Sequence, residues 1–225
     1  MAAYTFAALF LAHVVADYVL QTTWMVVNKR RAAAMAAHIA LVLGAMCLTT
    51  LSFQWWFIAL TLAHLWIDVV KTYAMRDGLG AYVADQVLHV ASIVAVALLA
   101  PQIWELSPVS DIPHMPLIYM ILGGVLFAVR GGQYAVAILI ASKGAGTNVG
   151  VFVGWAERAA LCVVLIGGLP ALVAGVLAAK GIYLGATLSN RDQEDRRRLL
   201  WGTGISLAWG FAVAIPLSMV MPMMQ

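Results

Sequence analysis

The chain has 225 residues, of which 64% are hydrophobic and 10% are charged, and its formal net charge is +3. Soluble domains carry about 25% charged residues, so this composition excludes an ordinary soluble domain and predicts an all-α, polytopic transmembrane helix bundle. So small a net charge gives no indication of a nucleic-acid partner, and we expect none.

Eight apolar segments follow one another along the chain. At about 20 apolar residues per span, helices are predicted near residues 4–27, 33–52, 55–75, 82–100, 116–142, 151–167, 170–188 and 199–221. Residues 1–18 contain no Lys or Arg, so the first segment is expected to be retained as a membrane helix. The fifth span can tilt or break at 131–132, and residues 151–188 form either two spans or one re-entrant hairpin around 167–170.

The basic residues fall into alternate loops. In an eight-span chain they follow spans one, three, five and seven, as residues 29–31, Lys71 with Arg76, Lys143, and Arg191 with 196–198. The excess of Lys and Arg marks cytoplasmic loops, so both termini are expected outside the cytoplasm, in a bacterial inner membrane.

Residues 190–198 are predicted to form a solvated turn. Residues 143–150 are predicted to be a flexible connector, because they lack the GxxxxGK[ST] order of a phosphate loop.

A repeat organises the N-terminal half. The segment LAHVVADYVLQ at 11–21 is echoed by LAHLWIDVVK at 62–71, and three pairs of polar residues lie 51 positions apart (64 − 13, 68 − 17 and 89 − 38). The copies, about 4–52 and 55–100, each hold two spans and therefore share one topology, as in parallel transporter repeats. Residues 1–100 are thus predicted to be a pseudo-symmetric four-helix core. Residues 101–225 are predicted to be a four-span bracing region.

The repeated polar residues are candidate metal ligands. A spacing of four places two side chains on one helix face. Each copy offers two histidines and a carboxylate, a set that suits zinc, iron or manganese in one binuclear centre or in two separate sites. The candidate ligands are His13, Asp17, His38, His64, Asp68, Asp85 and His89. Asp85 has no counterpart in the first copy, where Ala34 stands.

Two other interpretations remain open. Buried ionisable groups cost about 2.5 to 3.5 kcal/mol each at the bilayer centre, and a metal-free hydrogen-bonded network or proton relay is one way to offset that cost. Haem held by two histidines is the other, although it leaves three aspartates without a role.

The outer halves of these spans are almost entirely apolar, so the site is expected to open to the cytoplasm. Cys47 and Cys162 are interpreted as small packing residues.

Further candidates surround this set. Gln21, Lys71 and Gln86 are predicted to position ligands or substrate, as the catalytic group of the site. In the C-terminal half, the embedded charges Arg130, Glu157, Arg158 and Lys180 are candidates for binding an anionic head group, because guanidinium matches phosphate geometry. Lys180 either pairs with Glu157 across the hairpin or extends to the interface.

Several motifs in this order resemble a known family. They are LAHVVADYVLQTTWM, the NK at 28–29, His38, AHLWIDVVK, ADQVLH at 84–89, GWAER at 154–158 and LAAK at 177–180. Together with WGTGISLAWG at 201–210, they resemble the bacterial integral membrane family called domain of unknown function 3307, over nearly the whole chain. GIY follows Lys180 where that family typically continues with Ser. The resemblance implies a fold and a site but no established activity.

The leading hypothesis is a membrane-embedded, cytoplasm-facing metal-dependent hydrolase of a lipid or lipid-linked phosphate or ester, with membrane lipids as partners. The alternatives are an ion- or proton-coupled transporter that uses the His/Asp cluster, and a haem-binding or non-enzymatic membrane scaffold. The sequence does not predict an oligomeric state.

Overall fold

The structure, a computed structural model, describes residues 1–141, 151–189 and 191–224, and in these residues every element is helical. The predicted connector at 143–150 lies outside them. Seven helices are long and apolar enough to cross a membrane: α1 (Ala2–Leu20), α3 (Ala32–Thr50), α4 (Trp55–Ala74), α5 (Leu79–Leu99), α7 (Met115–Ala141), α9 (Ala171–Leu188) and α10 (Gln193–Val220). They confirm the predicted all-α polytopic bundle.

Three shorter helices complete the described chain: α2 (Thr23–Val27), α6 (Gln102–Glu105) and α8 (Val151–Ile166), with 3-10 turns at Pro108–Asp111 and Met221–Met224. Helix α8 occupies the position of the predicted sixth span, but its 16 residues extend about 24 Å, less than the roughly 30 Å of a hydrocarbon core. Helices α8 and α9 are joined at 167–170, the predicted hairpin, where Gly168 has a φ of 69° that favours glycine.

The prediction of one first helix over 4–27 is wrong at its C-terminal end. Gln21 is extended, with φ −67° and ψ 110°. The hydroxyl of Thr22 then accepts a hydrogen bond from the Met25 N–H at 3.4 Å. A threonine in this position caps a new helix, so α1 ends at Leu20 and α2 follows it.

The last helix begins earlier than predicted. The carboxylate of Asp192 accepts a hydrogen bond from the Asp195 N–H at 2.8 Å, and α10 starts at Gln193. Glu194 and Asp195 lie in its first turn, where acidic side chains offset the helix dipole. Residues 193–198, predicted as part of a solvated turn, are therefore helical.

Helix α7 neither stops nor breaks at 131–132. It instead contains a π-helical turn, Phe127–Gly131, between two α-helical parts. Such turns insert one extra residue and leave carbonyl groups free for side-chain donors. The α7 carbonyls of Phe127 and Val129 do accept such bonds, from Trp209 and Arg158, at 3.1 Å each.

The chain forms two compact units, Met1–Gly123 with Met223–Gln225, and Gly124–Pro222. In the first unit, contacts join α1 to α3, α3 to α4, α4 to α5 and α5 back to α1. This ring has the pattern that the repeat requires, since exchanging α1 with α4 and α3 with α5 maps it onto itself. In the second unit, α8 packs against α9, α10 and the π-helical turn of α7.

One end of the four-helix ring is filled by an apolar cluster that includes Leu9, Val42, Phe57 and Ile93. On α1 and α4 these residues precede the repeated histidines, and on α3 and α5 they follow them. Helices that alternate in direction bring such positions together at one end. The polar residues of the repeat consequently lie beside a closed apolar layer.

Candidate metal centre

The ring of α1, α3, α4 and α5 brings the seven predicted ligands together in its interior. Six of them are 4% exposed or less, and the side chain of Asp17 is 11% exposed. Helix α1 contributes two ligands, α3 one, α4 two and α5 two; these are His13, Asp17, His38, His64, Asp68, Asp85 and His89.

A π-helical turn shapes the α1 side of the cluster. From Ala16 to Leu20 the helix widens, and the Gln21 N–H donates to the Ala16 carbonyl at 3.0 Å, five residues back. Asp17 and Tyr18 lie in this turn, and both take part in the polar interior. Turns of this kind are found most often at functional sites.

His38 and His64 form the tightest part of the cluster. Their Nε2 atoms are 3.1 Å apart. Asp17 Oδ1 lies 3.5 and 3.6 Å from these two nitrogens. Asp68 Oδ2 lies 3.4 and 3.9 Å from the same pair. Atoms that share one tetrahedral zinc ion at its usual bond lengths are about 3.3 to 3.6 Å apart. Three of these five separations lie in that range, and the other two, 3.1 and 3.9 Å, lie just outside it.

The tautomer of His89 is fixed by its backbone partner. Its Nδ1 lies 2.8 Å from the carbonyl oxygen of Asp85. A carbonyl only accepts, so Nδ1 carries the proton and Nε2 presents a lone pair to the interior. This bond to a backbone carbonyl is the usual support of a metal-ligating histidine.

The cluster passes a direct test of its fit to a cation. Several of its buried ligand atoms have no hydrogen-bond partner among the described residues: both His13 nitrogens, Asp17 Oδ1, His38 Nδ1, Asp68 Oδ2, Asp85 Oδ1 and His89 Nε2. Each such atom costs about 1 to 3 kcal/mol when left unpaired. An ion at this position would satisfy several of these atoms at once.

Three overlapping sets of residues could hold an ion, each with ligand atoms within 4.8 Å of one another. They share two members, His64 and Asp68. The sets are His13 with Asp17 and His64, His38 with His64 and Asp68, and Asp68 with Asp85 and His89. Shared ligands are a feature of binuclear centres, so the geometry accommodates one ion or two adjacent ions.

The haem alternative does not fit these residues. The ring centroids of His64 and His89 are 4.0 Å apart, and those of His13 and His89 are stacked at 5.0 Å. His38 lies 5.2 Å from His64 by the same measure. Rings in such contact leave no space for a macrocycle between the members of these pairs.

Two lysines hold the outer oxygens of the ligand carboxylates. Lys29 Nζ donates to Asp68 Oδ1 at 2.7 Å, and Lys71 Nζ donates to Asp85 Oδ2 at 2.7 Å. In each carboxylate the other oxygen is the one left unpaired inside the cluster. Lys71 was a candidate from the sequence. Lys29 was noted as a loop charge and in the NK motif at 28–29 but was not a candidate site residue, because the position 51 residues later is Gly80 and the repeat gives no signal there.

A directed chain of hydrogen bonds also ends at Asp85. The Gln86 amide nitrogen donates to Asp85 Oδ2 at 2.9 Å, and Tyr18 donates to Gln86 Oε1 at 2.8 Å. The Tyr18 proton is thereby used, so Tyr82, whose hydroxyl lies 2.6 Å away, is the donor to Tyr18. The sequence analysis missed both tyrosines.

Gln21 follows the end of α1, and its buried amide nitrogen has no described partner.

The four candidate substrate-binding residues lie in the second unit. Lys180 donates to Glu157 at 2.8 Å, which is the first of the two alternatives that the sequence left open for this residue. Arg158 donates to the Ser206 hydroxyl at 2.6 Å as well as to α7. Arg130 donates to Gln133 at 2.9 Å, and its guanidinium lies 5.5 Å from the Trp155 ring. Their role in binding a substrate stays a prediction.

Part of the chain matches a known family. Residues 5–111 match the model of a family described as "Protein of unknown function (DUF3307)". The matched range contains the seven candidate ligands, whereas GWAER, LAAK and WGTGISLAWG lie beyond it. No curated protein and no solved structure matches the chain. The resemblance inferred from the motifs is therefore confirmed for residues 5–111, the part of the chain that carries the candidate metal centre.

Proposed function

We propose that the first unit is a metal centre within the membrane-spanning bundle and that the chain is a metal-dependent hydrolase. The observation that carries this proposal is the convergence of unpaired nitrogen and carboxylate atoms on one buried position. Histidine and aspartate ligands suit zinc, iron or manganese.

The shared ligands favour a hydrolytic reaction. The chemistry that ions would supply at His64 and Asp68 is Lewis acidity towards a phosphoryl or carbonyl oxygen and activation of water. The chain's own residues would orient the ligands: Lys29 and Lys71 fix the carboxylates, and the His89 tautomer is set by α5. A lipid or lipid-linked phosphate or ester is the substrate class that reaches a site inside membrane helices, here from the cytoplasmic side.

Metal analysis of the purified protein tests the proposal. We expect about one or two ions per chain in wild type. His64→Ala should lower the metal affinity about 100-fold or more, because loss of a residue that binds the metal directly costs more affinity than loss of a residue that supports a ligand. His114→Ala is the matched control, because His114 lies outside the three ligand sets. A metal-free wild type that binds no added zinc would refute the proposal.

The repeat favours a second candidate, an ion- or proton-coupled transporter. Transport requires water to reach the cluster from both ends of the bundle, and the apolar cluster around Phe57 fills one end. Single cysteines introduced at Leu9 and Ile93 test this directly. Labelling by a membrane-impermeant thiol reagent in any condition would support transport, and protection in all conditions would support the hydrolase.

A further inference from the structure

Two ammonium groups border the candidate metal centre, at a position called here its mouth, and contact with the carboxylates does not use all of their N–H donors. The side chains of Lys29 and Lys71 are 20% and 28% exposed, while those of their carboxylate partners are 2% exposed. Lys29 comes from the turn after α2, and Lys71 comes from the last turn of α4. The two lysines therefore lie between the buried ligands and the surroundings, and they approach from different segments.

Cations beside ligand carboxylates oppose the binding of a metal ion. The three aspartates and two lysines give the cluster a net charge of −1 when its histidines are neutral. One divalent ion raises this charge to +1, and two raise it to +3. Uncompensated charge is costly inside a membrane-spanning bundle. An anion beside the loaded cluster would therefore be stabilised.

The lysines have donors available for that anion. Each ammonium group has three N–H donors, and the carboxylate contact at 2.7 Å occupies one of them. A phosphoryl group offers several charged oxygens to such donors, and hydrogen bonds between charged groups are about twice as strong as neutral ones. A carboxylic ester carries no charge and would contribute nothing to balancing the positive charge of the loaded cluster.

We propose that Lys29 and Lys71 form an anion-binding site at the mouth of the metal centre and that the ligand is a phosphoryl group carrying two negative charges. This inference rests on the proposed function, and it chooses a phosphate over an ester as the substrate. It assigns the phosphate to these lysines in the first unit. The phosphoryl group can belong to a lipid head group or to a soluble phosphate.

Equilibrium dialysis with labelled inorganic phosphate tests the site. The zinc-loaded protein in an uncharged detergent is expected to bind phosphate, and the same protein treated with a chelator is expected to lose that binding. Lys29→Gln and Lys71→Gln should each weaken phosphate binding about tenfold or more, because each removes a charge-assisted bond. Lys29→Arg and Lys71→Arg, which keep a charged donor, should retain part of the affinity.

Arg31→Gln and Arg76→Gln are the matched controls. Each removes one positive charge close to a tested lysine, from an exposed position, and should leave phosphate binding unchanged. Zinc content is measured in every variant. If zinc binds but phosphate does not, or if the lysine and arginine variants bind phosphate equally, the inference is wrong while the metal centre stands. If zinc itself does not bind, the proposed function fails first.

Nanodiscs separate the two sources of the phosphoryl group. Discs of phosphatidylcholine alone are compared with discs that also contain phosphatidic acid, whose head group is a phosphate monoester. Displacement of labelled phosphate only by the second kind assigns the site to a lipid head group. Displacement by glycerol phosphate, with no effect of phosphatidic acid, assigns it to a soluble phosphate.

Discussion

The two units bury charge in different ways. In the second unit, positive groups meet acceptors that are already there: Lys180 meets Glu157, and Arg158 meets the Ser206 hydroxyl and an α7 carbonyl. In the first unit, the lysines take only the outer oxygens, and the inner ligand atoms face one another without partners. The second unit also leaves Glu157 Oε1 and Arg158 Nε without a described partner. Only in the first unit do the unpaired atoms belong to three or more described ligand-type residues that lie close enough together to hold an ion.

The difference shows that buried charge alone does not identify a site. Both units carry ionisable residues within long apolar helices, and a reading based on burial would treat them alike. Only the first unit contains, in the described part of the chain, three or more ligand-type residues whose atoms converge within 4.8 Å. The direction in which unpaired atoms point is therefore the more informative observation.

The largest effect is expected from breaking the ion pair of the second unit. Glu157→Gln leaves the Lys180 ammonium buried without its charge partner, and loss of one partner of a buried pair costs about 3 to 5 kcal/mol. The measurement is the free energy of unfolding in mixed micelles. Zinc content is expected to stay at the wild-type level, because Glu157 belongs to the unit that lacks the ligand sets.

Glu194→Gln provides the control for that change. It makes the same substitution in an ion pair with Arg198, but the Glu194 side chain is 73% exposed, and exposed pairs contribute about 0 to 1 kcal/mol. Equal losses in the free energy of unfolding would show that the pair of Glu157 and Lys180 contributes no more to stability than an exposed ion pair. A loss of zinc on Glu157→Gln would break the distinction between the two units.

Added zinc should stabilise the first unit. A ligand at 100 times its dissociation constant contributes about 2.7 kcal/mol to a folded state that alone binds it, which corresponds to a rise of about 5 to 10 °C in Tm for a chain of this size. His38→Ala should lose most of this rise. Because protons compete with metals for histidine and aspartate, the rise should also shrink at acid pH.

A comparable rise in wild type and His38→Ala would mean that zinc binds elsewhere or without specificity. Cys162→Ala serves as a second control. This buried thiol is a soft ligand type, but its only described hydrogen bond is to the Gly124 carbonyl at 3.9 Å, in the second unit. Zinc is expected to stabilise this variant as much as wild type.

The sequence was sufficient to predict which candidate ligands the structure brings together, but not which side chains contact them. The 51-residue offset pointed to His13, His64 and their partners because a repeat places equivalent side chains at equivalent depths. Lys29 was missed as a ligand support since it lies in a loop, and the path of a loop is not determined by periodicity. The start of α10 was misplaced because the Asp192 cap outweighs the polarity of the residues that follow it.

The π-helical turn explains the other omission. An ideal α-helix places adjacent residues about 100° apart, so a helical pattern that turns Asp17 inward does not also predict an interior Tyr18. The wider turn brings both into the polar interior. Nothing in the spacing of LAHVVADYVLQ predicts that π-helical turn. In the structure, the extended residue Gln21 comes directly after the turn.

The smallest effect is expected from the tyrosine chain. Tyr18→Phe removes the donor that holds the Gln86 amide, and Gln86 in turn holds the outer oxygen of Asp85. Loss of such a support typically lowers metal affinity by 10-fold to 100-fold; because this one acts through a second residue, we expect about 10-fold. Tyr82→Phe acts one bond further away and should have a smaller effect. The readout is zinc affinity together with the absorption spectrum of the cobalt-substituted protein.

Tyr73→Phe is the matched control. The exposed Tyr73 hydroxyl donates to the Arg30 carbonyl at 3.2 Å and takes no described part in the hydrogen bonds that join Tyr82, Tyr18 and Gln86. A purely structural role for Tyr18 would lower stability without altering the cobalt spectrum or the zinc affinity. Graded losses in the order Tyr18, Tyr82, Tyr73 would instead show that the hydrogen bonds transmit their effect to Asp85 through Gln86. Such an order would distinguish the first unit from the second, where ion pairs end at their own partners and support no ligand beyond them.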